Sequence, residues 1–210
     1  MFFVKVNCQD IPQFDNLTTD MGLSEGFVNG VIVDHLGFLW MATRDGLNRY
    51  DGYNFKIYKY NFKDSTSISN NTAQVLYITK DNTLWIGTNG GLNSYDYETG
   101  GFTKYVHDPN NDNSLSHNAV YSLYEDRFGI LWVGTFGGGV CAFDRKKKTF
   151  KRYMNDPKNP TSLSGNAIRG IMEDNDGELW VGVDGAGLNK FNRSQQAFTH
   201  YRYSPNDPTC

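Results

Sequence analysis

The chain has 210 residues, a formal net charge of -3 and 15% aromatic residues, with hydrophobic residues at 39% and charged residues at 20%. This composition excludes a disordered chain, and the balance of 20 Lys plus Arg against 23 Asp plus Glu argues against a nucleic-acid binder. Mean hydropathy is -0.56, and no apolar run is long enough for a membrane helix.

The N-terminal segment, residues 1–13, opens Met1-Phe2-Phe3-Val4 and is broken by Lys5. It reads either as the tail of a secretory signal or as a first strand. Phe14-Asp15-Asn16-Leu17 follows and reads as an outer strand without partners of its own.

From there the sequence repeats, and internal repeats decide a fold more firmly than local propensity does. Trp40, Trp85, Trp132 and Trp180 recur at intervals of 45, 47 and 48 residues. Each follows Leu in one phrase: Leu39-Trp40-Met41-Ala42, Leu84-Trp85-Ile86-Gly87, Leu131-Trp132-Val133-Gly134 and Leu179-Trp180-Val181-Gly182. Downstream come Gly46-Leu47-Asn48, Gly91-Leu92-Asn93, Gly139-Val140-Cys141 and Gly187-Leu188-Asn189, and each unit closes on an aromatic pair such as Phe150/Tyr153. The units span about residues 23–58, 68–105, 115–153 and 163–201.

Each unit holds four short strand-like runs, in the third at 119–125, 130–135, 139–144 and 149–153, parted by Asp/Gly turns. The expected fold is therefore all-β: a β-propeller over residues 14–210, four blades of four antiparallel strands, part of a larger ring. A solenoid or a sandwich is the alternative. The Trp residues are expected to fill the gaps between blades, and the small residue two positions later to let the next sheet approach.

Other marked residues have structural explanations. Asp174-Asn175-Asp176-Gly177 reads as a hairpin turn rather than a calcium loop, and Arg145-Lys146-Lys147-Lys148 as a solvated turn. Asn29, Asn71, Asn118 and Asn166 are expected to hold the inter-blade turns, and Asn48, Asn93 and Asn189 to be structural. Cys8, Cys141 and Cys210 form neither a disulfide framework nor a zinc spacing, and Cys141 reads as a core residue. His35, His107, His117 and His200 have no metal-pair spacing, and no catalytic constellation stands out, so neither metal, cofactor nor catalysis is expected.

Ligand contacts are expected on loops over a rigid scaffold. The loops from second to third strand share an end with the inter-blade loops, and they are where the units diverge. Arg44, Asp45, Asn89, Phe136 and Asp184, with His117 and Glu25 on the neighbouring inter-blade loops, are the candidate ligand-binding residues.

Residues 162–191 follow the pattern S-L-S-x-N-x-V-x-x-I-x-E-D-x-x-G-x-L-W-I-G-T-x-G-G-G-L-N-x-F-D with few departures. That phrase resembles the two-component-regulator propeller repeat, found in the periplasmic sensors of hybrid two-component systems of polysaccharide-degrading bacteria. The first unit resembles the opening repeat of such sensors, with Gly37-Phe38-Leu39-Trp40 and Arg44-Asp45-Gly46-Leu47-Asn48-Arg49-Tyr50. The resemblance implies two seven-bladed propellers, a small β-sandwich, a membrane span and a cytoplasmic kinase, with oligosaccharides bound outside. It implies a periplasmic sensor region for this chain, here an N-terminal fragment without a catalytic role of its own.

Four units followed by a linker-like Ser204-Pro205-Asn206-Asp207-Pro208 give the expectation of a chain cut inside a longer receptor. Its expected partners are an oligosaccharide or other small ligand and the remaining blades or a second copy. Neither nucleic acid nor membrane contact is expected for this segment. A stand-alone interaction scaffold and a propeller lyase or glycan-degrading enzyme are the competing functions.

Overall fold

The structure is a computed structural model and describes residues 14–203. The segment 1–13, with Cys8 and the signal-tail expectation, and the linker-like end with Cys210 lie outside the described residues.

Sixteen strands form four antiparallel sheets, each ordered as its strands run in the chain. Blade 1 holds β1 (Val28–Val33), β2 (Leu39–Thr43), β3 (Gly46–Tyr50) and β4 (Phe55–Tyr58). Blade 2 holds β5 (Ala73–Ile78), β6 (Leu84–Thr88), β7 (Gly91–Tyr95) and β8 (Phe102–Tyr105). Blade 3 holds β9 (Val120–Glu125), β10 (Leu131–Thr135), β11 (Val140–Asp144) and β12 (Thr149–Tyr153). Blade 4 holds β13 (Ile168–Glu173), β14 (Leu179–Val183), β15 (Gly187–Asn192) and β16 (Ala197–Tyr201). The four runs anticipated in the third unit are all present, three of them starting one residue later.

Residues 14–17 are not a strand; a short 3-10 turn, Thr19–Met21, follows them. The apolar pattern there is strand-like, but a strand needs a paired neighbour, and the described residues offer it none.

The core lies between blades. Three apolar clusters each join two successive blades, around Trp40 with Tyr95, Trp85 with Phe143 and Trp132 with Phe191. These tryptophans are at most 4% exposed. Each carries the next blade's aromatic ring at 4.8, 5.7 and 5.0 Å, within the range of edge-to-face contacts. The small residue after the Trp behaves as expected: a Cβ on Gly134 would stand 2.6 Å from Ile168 of blade 4. Inner strands β1, β5, β9 and β13 therefore pack in succession.

Hydrogen bonds fix each hairpin to its Trp. Asp126 Oδ1 accepts from the amides of Phe128 and Ile130, and Oδ2 accepts from Trp132 Nε1 at 2.8 Å. Asp34 and Asp174 do the same for Trp40 and Trp180. In blade 2 the acceptor is the Thr79 hydroxyl, itself bonded to Asp81. Asp174 is thus a hairpin residue, and the indole N–H, foremost, holds its carboxyl below the ordinary range.

The recurring Asn residues divide into two groups. Asn48, Asn93 and Asn189 bond Ser24, Ser69 and Ser164 of the preceding linker, while in blade 3 Cys141 meets Ser116. Burial pushes the Cys141 thiol up, as befits a core residue. Asn71, Asn118 and Asn166 accept backbone amides across the inter-blade turn at 2.7 Å. Asn29 does not belong with them. It lies inside β1 and donates to the Ala73 carbonyl.

The basic turn is also only partly solvated. Lys146, Lys147 and Lys148 are exposed, but Arg145 pairs with Glu125 and with Asp81.

Candidate functional site

The loop end is organised by one backbone irregularity. In every blade the inner strand slips by one residue near its start, leaving Asn29, Gln74, Tyr121 or Arg169 out of register. Such bulges re-aim a side chain out of the sheet. The next link is the loop after the second strand. The amides of Asn89, Phe136 and Asp184 donate to the carbonyls of Thr72, Ala119 and Ala167, just ahead of β5, β9 and β13. A bulge residue and the loop residue fifteen positions later therefore become neighbours in blades 2 to 4.

These neighbours form a continuous strip. Gln74 Nε2 donates to Asn89 Oδ1 at 3.0 Å and to the Tyr121 hydroxyl at 3.3 Å, joining blades 2 and 3. The Tyr121 and Phe136 rings lie 5.3 Å apart at 31°. The Arg169 guanidinium sits 4.8 Å from the Phe136 centroid and pairs with Asp184 at 2.9 Å, joining blades 3 and 4. Phe136 is 38% exposed, and Asn89, Arg169 and Asp184 are exposed.

Three expected residues, Asn89, Phe136 and Asp184, thus come together. His117 joins them, exposed and seated against Gly137 and Gly138 in the loop after Phe136. The other three stand apart at blade 1. Arg44 lies over the Phe27 ring at 3.8 Å, Asp45 pairs with Lys59 at 2.7 Å, and Glu25 accepts the Phe27 amide. Gln74, Tyr121 and Arg169 were missed by the reading of loops alone. Their signal was the fixed offset of fifteen residues to the divergent loop position.

The strip offers amide donors and acceptors, a carboxylate, a guanidinium and two rings in tilted contact. Together these groups can donate and accept hydrogen bonds, pair with charge and pack against an apolar face. Among the described residues, no histidine is hydrogen-bonded to a side-chain hydroxyl, and no group of three His, Cys, Asp or Glu side chains is placed to hold a metal. His107 and His200 bond backbone carbonyls, and His35 packs on Tyr97.

Comparison with known proteins matches three of the four units to one family. The two component regulator propeller pattern matches residues 67–90, 114–137 and 162–185, in blades 2, 3 and 4. Histidine kinase P4 of Formosa agariphila is 52% identical over 56 residues, which is 27% of this chain and 4% of that protein. The extracellular domain of a protein from B. thetaiotaomicron, described as a hybrid two-component system, superposes with a TM-score of 0.82. It is 31% identical, and the match covers 93% of this chain and 27% of that one. Virginiamycin B lyase from Staphylococcus aureus gives a TM-score of 0.61 at 17% identity, over 85% of this chain and 56% of that one, a likeness of fold alone. The chain spans about a quarter of the solved extracellular domain it matches and a small part of the curated kinase.

Proposed function

We propose that this chain is part of the extracytoplasmic sensor region of a hybrid two-component receptor, and that its loop end reads an oligosaccharide. The observation that carries the reading is the match of nearly the whole chain to the extracellular domain of such a system, beside the three propeller repeats found in this sequence. That likeness to an extracellular domain supports a periplasmic placement. The ligand class rests on the chemistry of the strip. Pyranose C–H faces stack on aromatic rings such as Tyr121 and Phe136. Hydroxyls need directed planar partners such as Arg169, Asp184, Asn89 and the Gln74 amide.

In this reading the chain binds and does not turn its ligand over. Binding would favour one arrangement of the receptor's extracytoplasmic parts, and the kinase would follow by a shift of populations.

The test is a calorimetric titration of the chain with neutral and acidic oligosaccharides, with the mixtures analysed by mass spectrometry. Binding without new products, lost in Phe136→Ala and Arg169→Ala and kept in Lys146→Ala, is the expected result. Binding that survives both loop substitutions removes the strip as the site. New products would favour the enzyme reading.

A further inference from the structure

We infer that the outer groove between blades 3 and 4 is a second ligand site, built for a small ring-bearing carboxylate whose charge pairs with Lys151. The groove lies on the rim, and the inference does not depend on what the loop end binds.

Charge marks the place. Arg145, Lys146, Lys147, Lys148, Lys151 and Arg152 are six of the 20 Lys and Arg residues of a chain whose net charge is -3. Three of them are already paired. Arg145 meets Asp81 and Glu125, Lys147 meets Asp144 at 3.4 Å, and Arg152 meets Asp112 at 3.3 Å together with the linker carbonyls of Asn111 and Ser114. Lys146 and Lys148 are exposed. Lys151 instead leans into the groove between the blades. Its Nζ stands 5.2 Å from the Tyr153 ring centroid and donates to Gln196 Oε1 of blade 4 at 2.7 Å. Among the described residues no carboxylate pairs with it.

Packing marks the same place. One row of residues crosses each sheet outward from the Trp: Trp40–Arg49–Lys56, Trp85–Ser94–Thr103, Trp132–Ala142–Lys151 and Trp180–Lys190–Thr199. In blade 1 the middle residue covers the row, with Arg49 4.2 Å from the Phe38 centroid and 5.9 Å from that of Trp40. In blade 4 Lys190 stands 5.9 Å from Trp180 and pairs with Glu178 at 3.2 Å. The row in blade 2 carries no charge. Blade 3 alone joins a small middle residue, Ala142, to a cation on the outer strand. Ala142 lines a groove of about 810 Å³, a volume that holds a small ligand. Ile130, Ala142 and Tyr153 give the groove its apolar wall, and Lys151, Arg193 and Gln196 its polar one.

The polar wall is set from both blades. Gln196 Oε1 also accepts the Tyr153 hydroxyl, and its Nε2 donates to the Arg193 carbonyl at 2.7 Å. Arg193 is held by Asp126, and its Nε is buried without an acceptor among the described residues. A carboxylate entering here exchanges the neutral carboxamide partner of Lys151 for a charged one, and the charge-assisted bond is the stronger. The ring that carries the carboxylate packs on the apolar wall beside Tyr153. A sugar acid and an aromatic acid share this chemistry.

The experiment is an NMR titration of the whole chain with methyl galacturonide, with its neutral methyl ester and with benzoate. Saturable amide shifts concentrated at residues 149–153 and 193–196 are expected with at least one of the two acids, and which acid gives them identifies the source. The ester should bind about tenfold more weakly than its parent acid, and Lys151→Met should weaken the acid by about the same factor. Ala142→Gln, which fills the groove without adding charge, should also abolish the shifts. Lys146→Met, exposed on the same turn and outside the groove, should leave them unchanged. Shifts from neither acid, equal binding of acid and ester, or equal loss in Lys146→Met and Lys151→Met overturns the proposal. Shifts confined to Asn89, Phe136 and Asp184 overturn it as well and leave the loop-end reading standing.

Discussion

The two ends of the blades obey opposite rules although one repeat builds both. At the hairpin end the units agree. A carboxylate or hydroxyl clamps the Trp indole in all four blades, and Tyr97, Arg145 and Arg193 each reach back to the preceding blade. At the loop end the equivalent positions hold Asn29, Gln74, Tyr121 and Arg169, three chemistries (carboxamide, phenol and guanidinium) on one bulge. Repetition is found where a side chain must complete a neighbour's packing. Divergence is found where the backbone alone, through the bulge and the loop amides, fixes the geometry and leaves the side chain free.

The largest expected effect comes from breaking the hairpin end. Asp126 has no exposed surface and serves two backbone amides, the Trp132 indole and the Arg193 guanidinium. Asp126→Ala leaves a buried indole N–H and two turn amides without their acceptor and Arg193 with only its longer pair to Glu173 at 3.4 Å, a loss of about 3–5 kcal/mol. Urea unfolding followed by fluorescence measures it. A loss below about 1 kcal/mol would show that the clamp decorates the fold without holding it.

A smaller effect tests close approach at closed and open interfaces. Gly134→Val drives a branched side chain into Ile168 and should cost about 1–3 kcal/mol by overpacking. Gly182→Val, on the open side of blade 4, should cost well under 1 kcal/mol because nothing lies within 3.7 Å. Equal costs would remove the distinction.

Most of the fold was legible because its determinants repeat. Trp spacing, the small residue two positions after it and the closing aromatic pair all report contacts that recur from blade to blade, and periodicity amplifies them. Residues 14–17 misled because an apolar alternation carries no information about whether a pairing partner exists. Arg145 misled because its neighbours in sequence are solvated lysines, while its partners Glu125 and Asp81 come from other strands and turns. The candidate strip was half legible. Divergence among the loops singled out Asn89, Phe136 and Asp184, but the bulge residues beside them sit inside strands, where alternation hides a one-residue slip. Arg44, Asp45 and Glu25 followed the same rule and sit at blade 1, since their loop has its own partners in Phe27 and Lys59.

Alkaline titration separates the packed tyrosines from the free surface by a different route. Burial, and then the charge of Asp34, raise the Tyr97 phenol, and burial pushes Tyr153 up to about 12. A folded value above the ordinary 10 means the native state favours the neutral phenol. The stability it contributes is complete below pH about 10 and is lost as pH rises through the folded value. Phenolate absorbance should therefore lag behind that of free tyrosine and rise together with loss of near-ultraviolet dichroism. Full titration near pH 10 with the dichroism intact would show these rings to be solvated.

The smallest effect on stability is expected at the loop end, and it is the most informative. Phe136 holds its place through its amide to Ala119 and its bridge to Ala167, both backbone contacts that alanine keeps. Its ring lies tilted against Tyr121 with 38% of the residue exposed, so Phe136→Ala removes part of a half-buried ring. Arg169→Ala breaks an ion pair whose side chains are 52% and 48% exposed, a contact that contributes about 0–1 kcal/mol in water. Both variants should unfold within about 1 kcal/mol of the parent. If either instead falls by the amount expected for Asp126→Ala, the strip is part of the packing after all, and the divergence at the bulge reflects four local solutions to one structural problem. If both hold, the strip at blades 3 and 4 is structurally idle, and its chemistry is available for recognition.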